Sequence, residues 1–392
     1  MASIHAPVSP KTLVWARKTS GVSGEQAAKK AGVDLARLHA WEAGDAQPSI
    51  PQLRNLADLY KRPLAFFFLT EVPKDFQVMK NFRRLPDSAE TSLSPSLAIQ
   101  LRQALVRRQL ALDLAPEIGW EIEELSMRAK DDSDASGVAA RVRLLLGVSL
   151  PVQEQWRDER EAFKTWRQAV ERLGILTFQA SRVSISEMRG MSAFFSRLPV
   201  ILLNSADSIH GRIFTLAHEL GHLVLRDEGV CDTDVQLTGE PGPHEVWCNE
   251  FAGSLLVPAE NIEWRIQPGQ STGQLAWEQI ANQASRFKVS KEVFLRRLLT
   301  TQRVSLAEYR SGRRHLQNTP ARKKAKSKGG PAPDVKVVSN LGIPFVRAVL
   351  GAYHQQKITL SDVADYLDMR IRHLPKVQER VLRGEYEART ET

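Results

Sequence analysis

Short apolar stretches at helical spacing alternate with turns bearing glycine or serine near the start of the chain. The pattern predicts four helices, at residues 13–18, 24–31, 35–43 and 50–60, with a tight turn at Gly32-Val33-Asp34. Five apolar residues fall at core spacing: Ala27, Ala28, Val33, Leu38 and Trp41. Short helices around such a turn are typical of a helix-turn-helix module, and any small helical bundle is the alternative.

The middle of the chain changes to short apolar runs bounded by turn-forming residues. These runs predict strands at residues 174–180, 190–196 and 198–204, followed by a largely buried helix at 212–225. A second helix follows and ends at Pro258. A small sheet beside a buried helix predicts an α+β domain with a cleft, in which an extended peptide adds as one more strand.

Helical periodicity dominates the remainder of the chain. Residues 95–114 and 137–146 predict connecting helices, and residues 343–353 and 360–367 predict a small helical accessory domain. Residues 322–331 are rich in Lys and have the composition of a flexible basic linker. Additional contacts to nucleic-acid phosphates are the alternative role for this stretch.

Composition favours anionic partners and a reducing compartment. The 392 residues include 54 Lys and Arg against 45 Asp and Glu, a net charge of +9 that favours polyanions such as DNA. Two cysteines, Cys231 and Cys248, make no disulfide framework, and the longest apolar run, 64–69, is too short to span a bilayer. Without a recognisable signal peptide, we expect a cytoplasmic protein with no membrane partner, and an oligomer is compatible with the sequence.

The predicted helix at 212–225 carries the stretch His218-Glu219-Leu220-Gly221-His222. Two histidines at positions i and i+4 lie on one helical face, so both imidazoles reach the same metal ion, and the glutamate beside the first takes a proton from water at that metal. The surrounding residues are apolar, and a buried polar trio without a metal is costly. The spacing therefore predicts a zinc-dependent hydrolase with His218 and His222 as ligands and Glu219 as the general base.

A zinc site of this kind needs a third protein ligand, and the helix ending at Pro258 offers Glu245 and Glu250. Glu245 shares a face with small residues that let the two helices approach closely, whereas Glu250 points away, so we predict Glu245. A solvated first-turn glutamate is the alternative. His244 is a further possible ligand, and Cys248 is expected to be a small buried hydrophobe. Iron or manganese can substitute for zinc in a site with two histidines and one carboxylate.

Two stretches resemble known families. Ala27-Ala28, Gly32-Val33, Ala40-Trp41-Glu42-Ala43-Gly44, Pro48 and Leu53-Arg54-Asn55-Leu56-Ala57 resemble the helix-turn-helix domain of XRE-family regulators. The stretch from Phe214 to His222, with Cys248 to Pro258, resembles the ImmA/IrrE metallopeptidases. Together the resemblances cover most of residues 10–315. They imply a gluzincin-like zinc endopeptidase that cuts a repressor protein to lift repression, in stress responses, mobile-element control or toxin-antitoxin control.

The resemblance to XRE regulators has one departure that affects DNA recognition. The family carries a phosphate-contacting glutamine where Gly24 stands here. The exposed face of the predicted recognition helix offers few side chains that read bases. The residues predicted to face DNA are Asp34, Ala36, Arg37 and Ala40, of which Arg37 is the one suited to guanine. Weak DNA binding, docking onto a partner protein of the same fold and a dimer contact therefore all remain open.

The predicted fold class is a multidomain chain, mainly α, with an α+β catalytic domain. We predict a helix-turn-helix bundle at residues 8–72, a helical connector at 73–150 and the zinc domain, with its small sheet, at 151–312. A basic linker at 313–338 and a C-terminal helical accessory domain at 339–385 follow. Two functions compete: an endopeptidase holding one Zn²⁺ per chain with a repressor as substrate, and a DNA-binding regulator or antitoxin whose zinc domain is a sensor or scaffold.

Overall fold

The computed structural model describes residues 6–60, 62, 64–69, 71, 94–130, 133–226, 242–263, 277–318 and 331–389. The described residues form seventeen α-helices and one three-stranded sheet. The predicted fold class, mainly α with an α+β domain, is therefore confirmed. The chain divides into two compact units, Met1–Leu105 and Val106–Thr392. The finer domain boundaries expected from the sequence stay predictions.

The first unit contains the four helices expected near the start of the chain. They are α1 (Pro10–Thr19), α2 (Gly24–Ala31), α3 (Leu35–Ala43) and α4 (Ile50–Tyr60), followed by a 3-10 turn at Leu64–Phe68. Ser23 caps α2 in a reciprocal pair with Gln26, and Asp34 caps α3 by accepting from the Arg37 amide at 2.8 Å. Gly32 takes a φ of 71° between the two helices, a left-handed conformation that glycine adopts without strain.

Helix α5 (Pro95–Leu114) begins inside the first unit. Its Arg102 is buried and donates to the Ser20 hydroxyl at 3.2 Å and to the Tyr60 carbonyl at 2.6 Å. Burial lowers the pKa of Arg102 to about 10. Because a buried guanidinium needs its hydrogen bonds, this contact fixes the start of α5 against the ends of α1 and α4.

The second unit contains the sheet, built from β1 (Leu176–Ala180), β2 (Gly190–Ala193) and β3 (Val200–Asn204). The strand order is β1-β3-β2, with β1 parallel and β2 antiparallel to β3. The three strands predicted from the sequence are confirmed, each shorter than its apolar run. Nearly every strand residue is buried because helices cover the sheet.

Eight helices of the second unit surround this sheet or pack beside it. They are α6 (Ala135–Leu146), α7 (Leu150–Gln155), α8 (Glu159–Arg172), α9 (Ile209–Leu225), α10 (Pro243–Leu256), α11 (Trp277–Arg286), α12 (Lys291–Thr300) and α13 (Leu306–Asn318). Helix α9 is central: it packs against α8, α10, β2 and β3. One continuous apolar core joins these elements and places α9 in its middle.

The end of the chain forms α14 (Pro333–Leu341), α15 (Ile343–His354), α16 (Leu360–Tyr366) and α17 (Leu374–Arg389). Helix α14 packs on β1, and its Ser339 carbonyl accepts from Arg167 and, at 2.7 Å, from Gln179. Gly342 connects α14 to α15 and lies close to the sheet: a Cβ at this position would lie 2.8 Å from the Thr177 carbonyl oxygen. The C-terminal helices are therefore docked on the sheet.

Helix occupies both ends of the stretch predicted as a basic linker. Arg313 and Arg314 lie in α13, which continues to Asn318, and α14 begins at Pro333. The basic residues 322–328 and Cys231 lie outside the described residues.

Within the described ranges, no single helix is long and apolar enough to cross a membrane. The bent pair Pro333–Leu341 and Ile343–His354, with 108° between its helices, meets the length and composition test only when the two are taken together.

Candidate metal centre

Helix α9 positions three of the predicted site residues in the core of the second unit. Ser208 caps its start by accepting from the Gly211 amide at 3.0 Å, and Ile213, Leu216 and Leu220 anchor its buried face. His218, Glu219 and His222 are at most 2% exposed. A charged or strongly polar trio this deeply buried requires partners, since burial without them costs several kcal/mol.

Glu245 reaches the same place from the first turn of α10. The two helices approach closely because Gly221 has no side chain: a Cβ there would lie 3.3 Å from the Cys248 sulfur and 3.1 Å from the Phe251 ring. His218 Nε2 lies 3.2 Å from Glu245 Oε2, and His222 Nε2 lies 3.4 Å from Glu245 Oε1. The sequence-predicted third ligand is thus brought to both histidines.

The spacing of these atoms fits a metal ion. His218 Nε2 and His222 Nε2 are 3.1 Å apart, and one ligand atom from each of the three residues lies within 4.8 Å of the others. Ligand atoms held about 2.0–2.1 Å from a tetrahedral zinc ion lie about 3.3 Å from one another. Two imidazoles and one carboxylate at this spacing form a group that can hold a metal ion, and the donor set suits zinc, iron or manganese.

The electrostatics of Glu245 favour its ionised form. Burial works to raise the pKa of this carboxyl, but the hydrogen bonds and charges of His218 and His222 outweigh burial and lower the pKa to about 2. A carboxylate that stays ionised beside two imidazoles is suited to bind a cation.

Glu219 lies beside the metal group in a different environment. Its Oε2 accepts from the Ser192 hydroxyl of β2 at 2.8 Å, while its buried Oε1 has no hydrogen-bond partner among the described residues. Burial raises the pKa of Glu219, against the lowering influence of His222, His218 and Ser192. One oxygen is therefore held in place, and the other is left to accept a proton.

The β2 backbone runs against Glu219 because residue 190 is glycine. A Cβ on Gly190 would lie 2.1 Å from the Thr215 methyl and 3.2 Å from Glu219 Oε1. Sequence reasoning missed both Gly190 and Ser192, since they lie in a strand far from the His-Glu-Leu-Gly-His stretch. The glycine opening that strand was the available signal, because glycine inside a strand marks a close approach of backbone.

Of the other candidates on α10, Glu250 and His244 lie outside the metal group, and Cys248 lies beside it. Glu250 faces Ser136 of α6, whose hydroxyl donates to it at 3.5 Å. Cys248 is fully buried, and burial raises the pKa of its thiol, as befits a small hydrophobe beside His222. His244 is half-buried at the start of the helix and is not part of the group that the structure brings together.

The residues predicted to face DNA lie on or beside α3. Asp34, Ala36 and Arg37 are exposed, and Ala40 is half-buried. The Asp34 carboxylate already caps the helix. Gly24 lies so close to α3 that a Cβ there would come within 2.7 Å of the Leu35 side chain. The departure from the XRE pattern therefore coincides with an apolar side chain covering that position.

Each of the two units contains a stretch that matches a known family. Residues 170–299 match the model of a peptidase family, the IrrE N-terminal-like domain, and residues 12–65 match a helix-turn-helix domain. The chain joins a helix-turn-helix domain to an ImmA/IrrE-type domain. No curated protein and no solved structure matches it.

The fusion architecture matches the resemblance drawn from the sequence. His218, His222 and Glu245 all fall within the IrrE-like match, and α2, α3 and α4 fall within the helix-turn-helix match. A regulator domain and a metallopeptidase-type domain are therefore present in one chain.

Proposed function

We propose that this chain is a cytoplasmic, zinc-dependent endopeptidase that cleaves a transcriptional repressor. The observation that carries the proposal is the convergence of His218, His222 and Glu245 around one position, with Glu219 alongside. A scaffold needs no buried glutamate with one oxygen unpartnered, whereas a hydrolase needs a general base there.

The roles of the residues follow from their surroundings. His218, His222 and Glu245 would hold the zinc ion, which on binding lowers the pKa of water towards neutrality and polarises a carbonyl. Glu219 takes the proton of the attacking water on Oε1, while Ser192 holds Oε2. The raised pKa of Glu219 suits a group that then passes this proton to the leaving amine nitrogen.

The sheet edge beside the metal group favours a peptide as substrate. Strand β2 pairs with β3 on one side, in the register Gly190 to Leu203 through Ala193 to Val200, and it packs against α9. An extended peptide adding along β2 would form backbone hydrogen bonds and place a carbonyl near the metal group. An endopeptidase acting on an unfolded or extended protein segment fits this edge better than a small amidase.

The helix-turn-helix unit supports a repressor as the substrate. Such a domain brings the chain either to the DNA where repressors are bound or to a partner protein with the same kind of surface. The net charge of +9 favours the first environment.

Cleavage of a repressor encoded beside the gene for this chain tests the proposal. With zinc, the wild-type chain should cut the repressor at one or a few bonds, and Glu219→Gln should keep its zinc but cut about 100- to 10,000-fold more slowly. A chelator should stop wild-type cutting. Equal cutting by Glu219→Gln would exclude Glu219 as the base, and an intact repressor under all conditions would contradict the substrate assignment.

A second candidate function rests on the exposed face of α3. Arg37 is exposed there, and Lys29 and Lys30 are exposed at the end of α2. These charges favour a DNA-binding regulator or antitoxin in which the metal domain acts as a sensor. Such a protein binds its own promoter at low salt, loses about ten-fold in affinity on Arg37→Ala and cuts no neighbouring repressor.

A further inference from the structure

A large basic cleft lies in the second unit between α8, the start of α9, α14 and α17. Its volume is about 810 Å³, within the range of about 300–1,000 Å³ that small-molecule sites occupy. None of the three residues of the metal group lines it. The cleft is therefore a separate site from the candidate metal centre.

The lining of this cleft is strongly cationic. Eight of its twenty-two lining residues are Lys or Arg, and three are acidic. All three acids are engaged: Glu171 binds Arg167 at 2.9 Å, Asp334 binds Arg380 at 2.7 Å, and Glu379 pairs with Arg383. Each carboxylate offsets one cation, so the lining keeps a net positive charge.

Several of the other cations are not held in salt bridges, and Asp334, whose charge also acts on Lys376, is already paired with Arg380. Arg160, Lys336 and Lys376 are exposed on the rim, and within the described chain none of them forms an ion pair. They come from α8, α14 and α17 respectively, so three separate helices direct charge to one opening. Cations gathered from distant parts of the chain repel one another unless an anion lies between them.

Arg212 brings positive charge deeper into the cleft. It lies over the Phe163 ring, 4.8 Å from its centroid, and donates to Gln179 at 2.7 Å. Its buried Nε has no hydrogen-bond partner among the described residues. Burial lowers the pKa of Arg212, and the charges of Arg167 and Arg160 lower it further, against the raising influence of Asp207. The Arg212 guanidinium therefore adds positive charge behind the cleft, and this charge attracts an anion.

The backbone at this place also favours an anion. Gln179 and Ser205 lie at the carboxyl ends of the parallel strands β1 and β3, where ligands of parallel sheets bind. Ile209 and Arg212 belong to the first turn of α9, whose dipole is positive at that end. The cationic side chains and the start of α9 thus direct positive potential into one volume, which lies at the edge of the sheet where ligands of parallel sheets bind.

We propose that this cleft binds a small phosphorylated metabolite with two or more phosphate groups and the size of a nucleoside diphosphate. Lys336, Lys376 and Arg160 contact the phosphates at the rim, and the half-buried Arg212 adds positive charge behind them. The binding site is independent of the proposed peptidase activity. It touches α9 at its start, so occupancy adds contacts to the helix that carries the metal group.

Calorimetric titration of the full-length chain with ADP tests the proposal without any cleavage assay. We expect one ADP per chain, displaced by pyrophosphate. The double variant Lys336→Ser, Lys376→Ser should weaken binding by at least about ten-fold, because two charge-assisted contacts are lost. The matched control Lys291→Ser, Arg303→Ser removes the same charge from exposed positions outside the cleft and should change binding by less than about two-fold.

Three results would overturn the proposal. The first is that neither ADP nor pyrophosphate binds. The second is that both double variants weaken binding equally, which would show general charge attraction. The third is that a single-stranded oligonucleotide displaces ADP and binds more tightly, which would assign the cleft to nucleic acid. Thermal unfolding of each variant, monitored by circular dichroism, establishes that any loss comes from the cleft rather than from misfolding.

Discussion

Helices α9 and α3 both carry residues that the sequence predicted to be functional, and they hold those residues in opposite ways. In α9, twelve of seventeen residues are buried, and the site residues contact other elements of the second unit. In α3, two of nine residues are buried, and the predicted readers face outwards. Positions in α9 are fixed by packing within the chain, so their mutual distances reveal the chemistry. The exposed residues of α3 contact few other parts of the chain, so their function depends on the partner that they bind.

This difference explains why the two sites look so unequal. A metal site needs a few donor atoms within a few ångströms, and α9 and α10 provide them before any ligand arrives. A recognition surface needs polar side chains that extend outwards. On α3, the Asp34 carboxylate caps the helix, and the exposed residues beside Arg37 are the apolar Leu35 and Ala36. Substitutions in α9 and its neighbours should therefore change metal binding, stability or catalysis strongly, whereas substitutions in α3 should change only the affinity for a partner.

The largest expected effect is at Glu245, the proposed third metal ligand. Glu245→Gln removes the carboxylate charge shared by both histidines and should lower zinc affinity by more than about 100-fold, since even outer partners of metal ligands contribute about 10- to 100-fold. Competition with a zinc-binding dye measures this affinity. Glu250→Gln makes the same chemical change on the same helix, but it faces Ser136, so zinc affinity should not change. Equal losses in the two variants would exclude Glu245 as the ligand.

The next effect concerns the close packing of β2 against α9. Gly190→Ala places a methyl 2.1 Å from the stiff, β-branched Thr215 and should lower the free energy of unfolding by about 1–3 kcal/mol. Gly253→Ala is the control, because its Cβ meets only the Arg297 side chain at 3.7 Å and replaces a helical glycine. Urea unfolding should show Gly253→Ala as stable as wild type or more so. If Gly190→Ala unfolded with the same free energy as wild type, β2 would have to shift away from α9 at no cost, which would contradict the close packing.

A smaller effect is expected where Ser192 positions the general base. Ser192→Ala leaves Glu219 Oε2 without its donor and should lower kcat by about 10-fold, with KM and zinc content unchanged. Steady-state kinetics on a cleavable substrate, with metal analysis of the same samples, distinguishes positioning from a general structural role. A raised KM or lost zinc would indicate damage to the fold instead.

The smallest effect is expected on α3. Gly24→Gln restores the phosphate-contacting side chain of the XRE pattern, but its Cβ would meet Leu35 at 2.7 Å. Combining it with Leu35→Ala makes room and should raise affinity for promoter DNA by about 5-fold, the value of one phosphate hydrogen bond. Leu35→Ala alone serves as the control and should give no gain in fluorescence anisotropy titrations. Unchanged binding by the double variant would favour a protein partner for this surface.

The sequence predicted the parts of this fold that follow from local pattern. Apolar spacing and caps predicted helices α1 to α4, helix α9 and the three strands, and the spacing of His218 and His222 on one helix predicted them as metal ligands. Glu245 could be predicted as the third ligand because Glu250 lies on a different face of the same helix. Each of these inferences needs only the geometry of one element.

The remainder depends on contacts between elements distant in sequence. Ser192 reaches Glu219 across 27 positions, and no spacing rule connects a strand hydroxyl to a helix carboxylate. The basic cleft assembles Arg160, Arg212, Lys336 and Lys376 from four helices, and their charges look like ordinary solvated residues when each helix is considered alone. Helix α14 was not predicted, and α17 was expected only as an undefined part of the helical accessory domain at 339–385, because their short apolar stripes acquire their role only against β1 and one another.

The docking of α14 on the sheet has a consequence for fragment complementation. Arg167 and Gln179 both donate to the Ser339 carbonyl, and Phe345 meets Phe178 edge to face at 5.9 Å. These contacts join residues that precede position 319 to residues that follow position 330, so we expect a chain cut between these positions to give two pieces that stay bound to each other. The two pieces produced separately should reassemble, and the part that ends at Asn318 should expose the face of β1 when it stands alone.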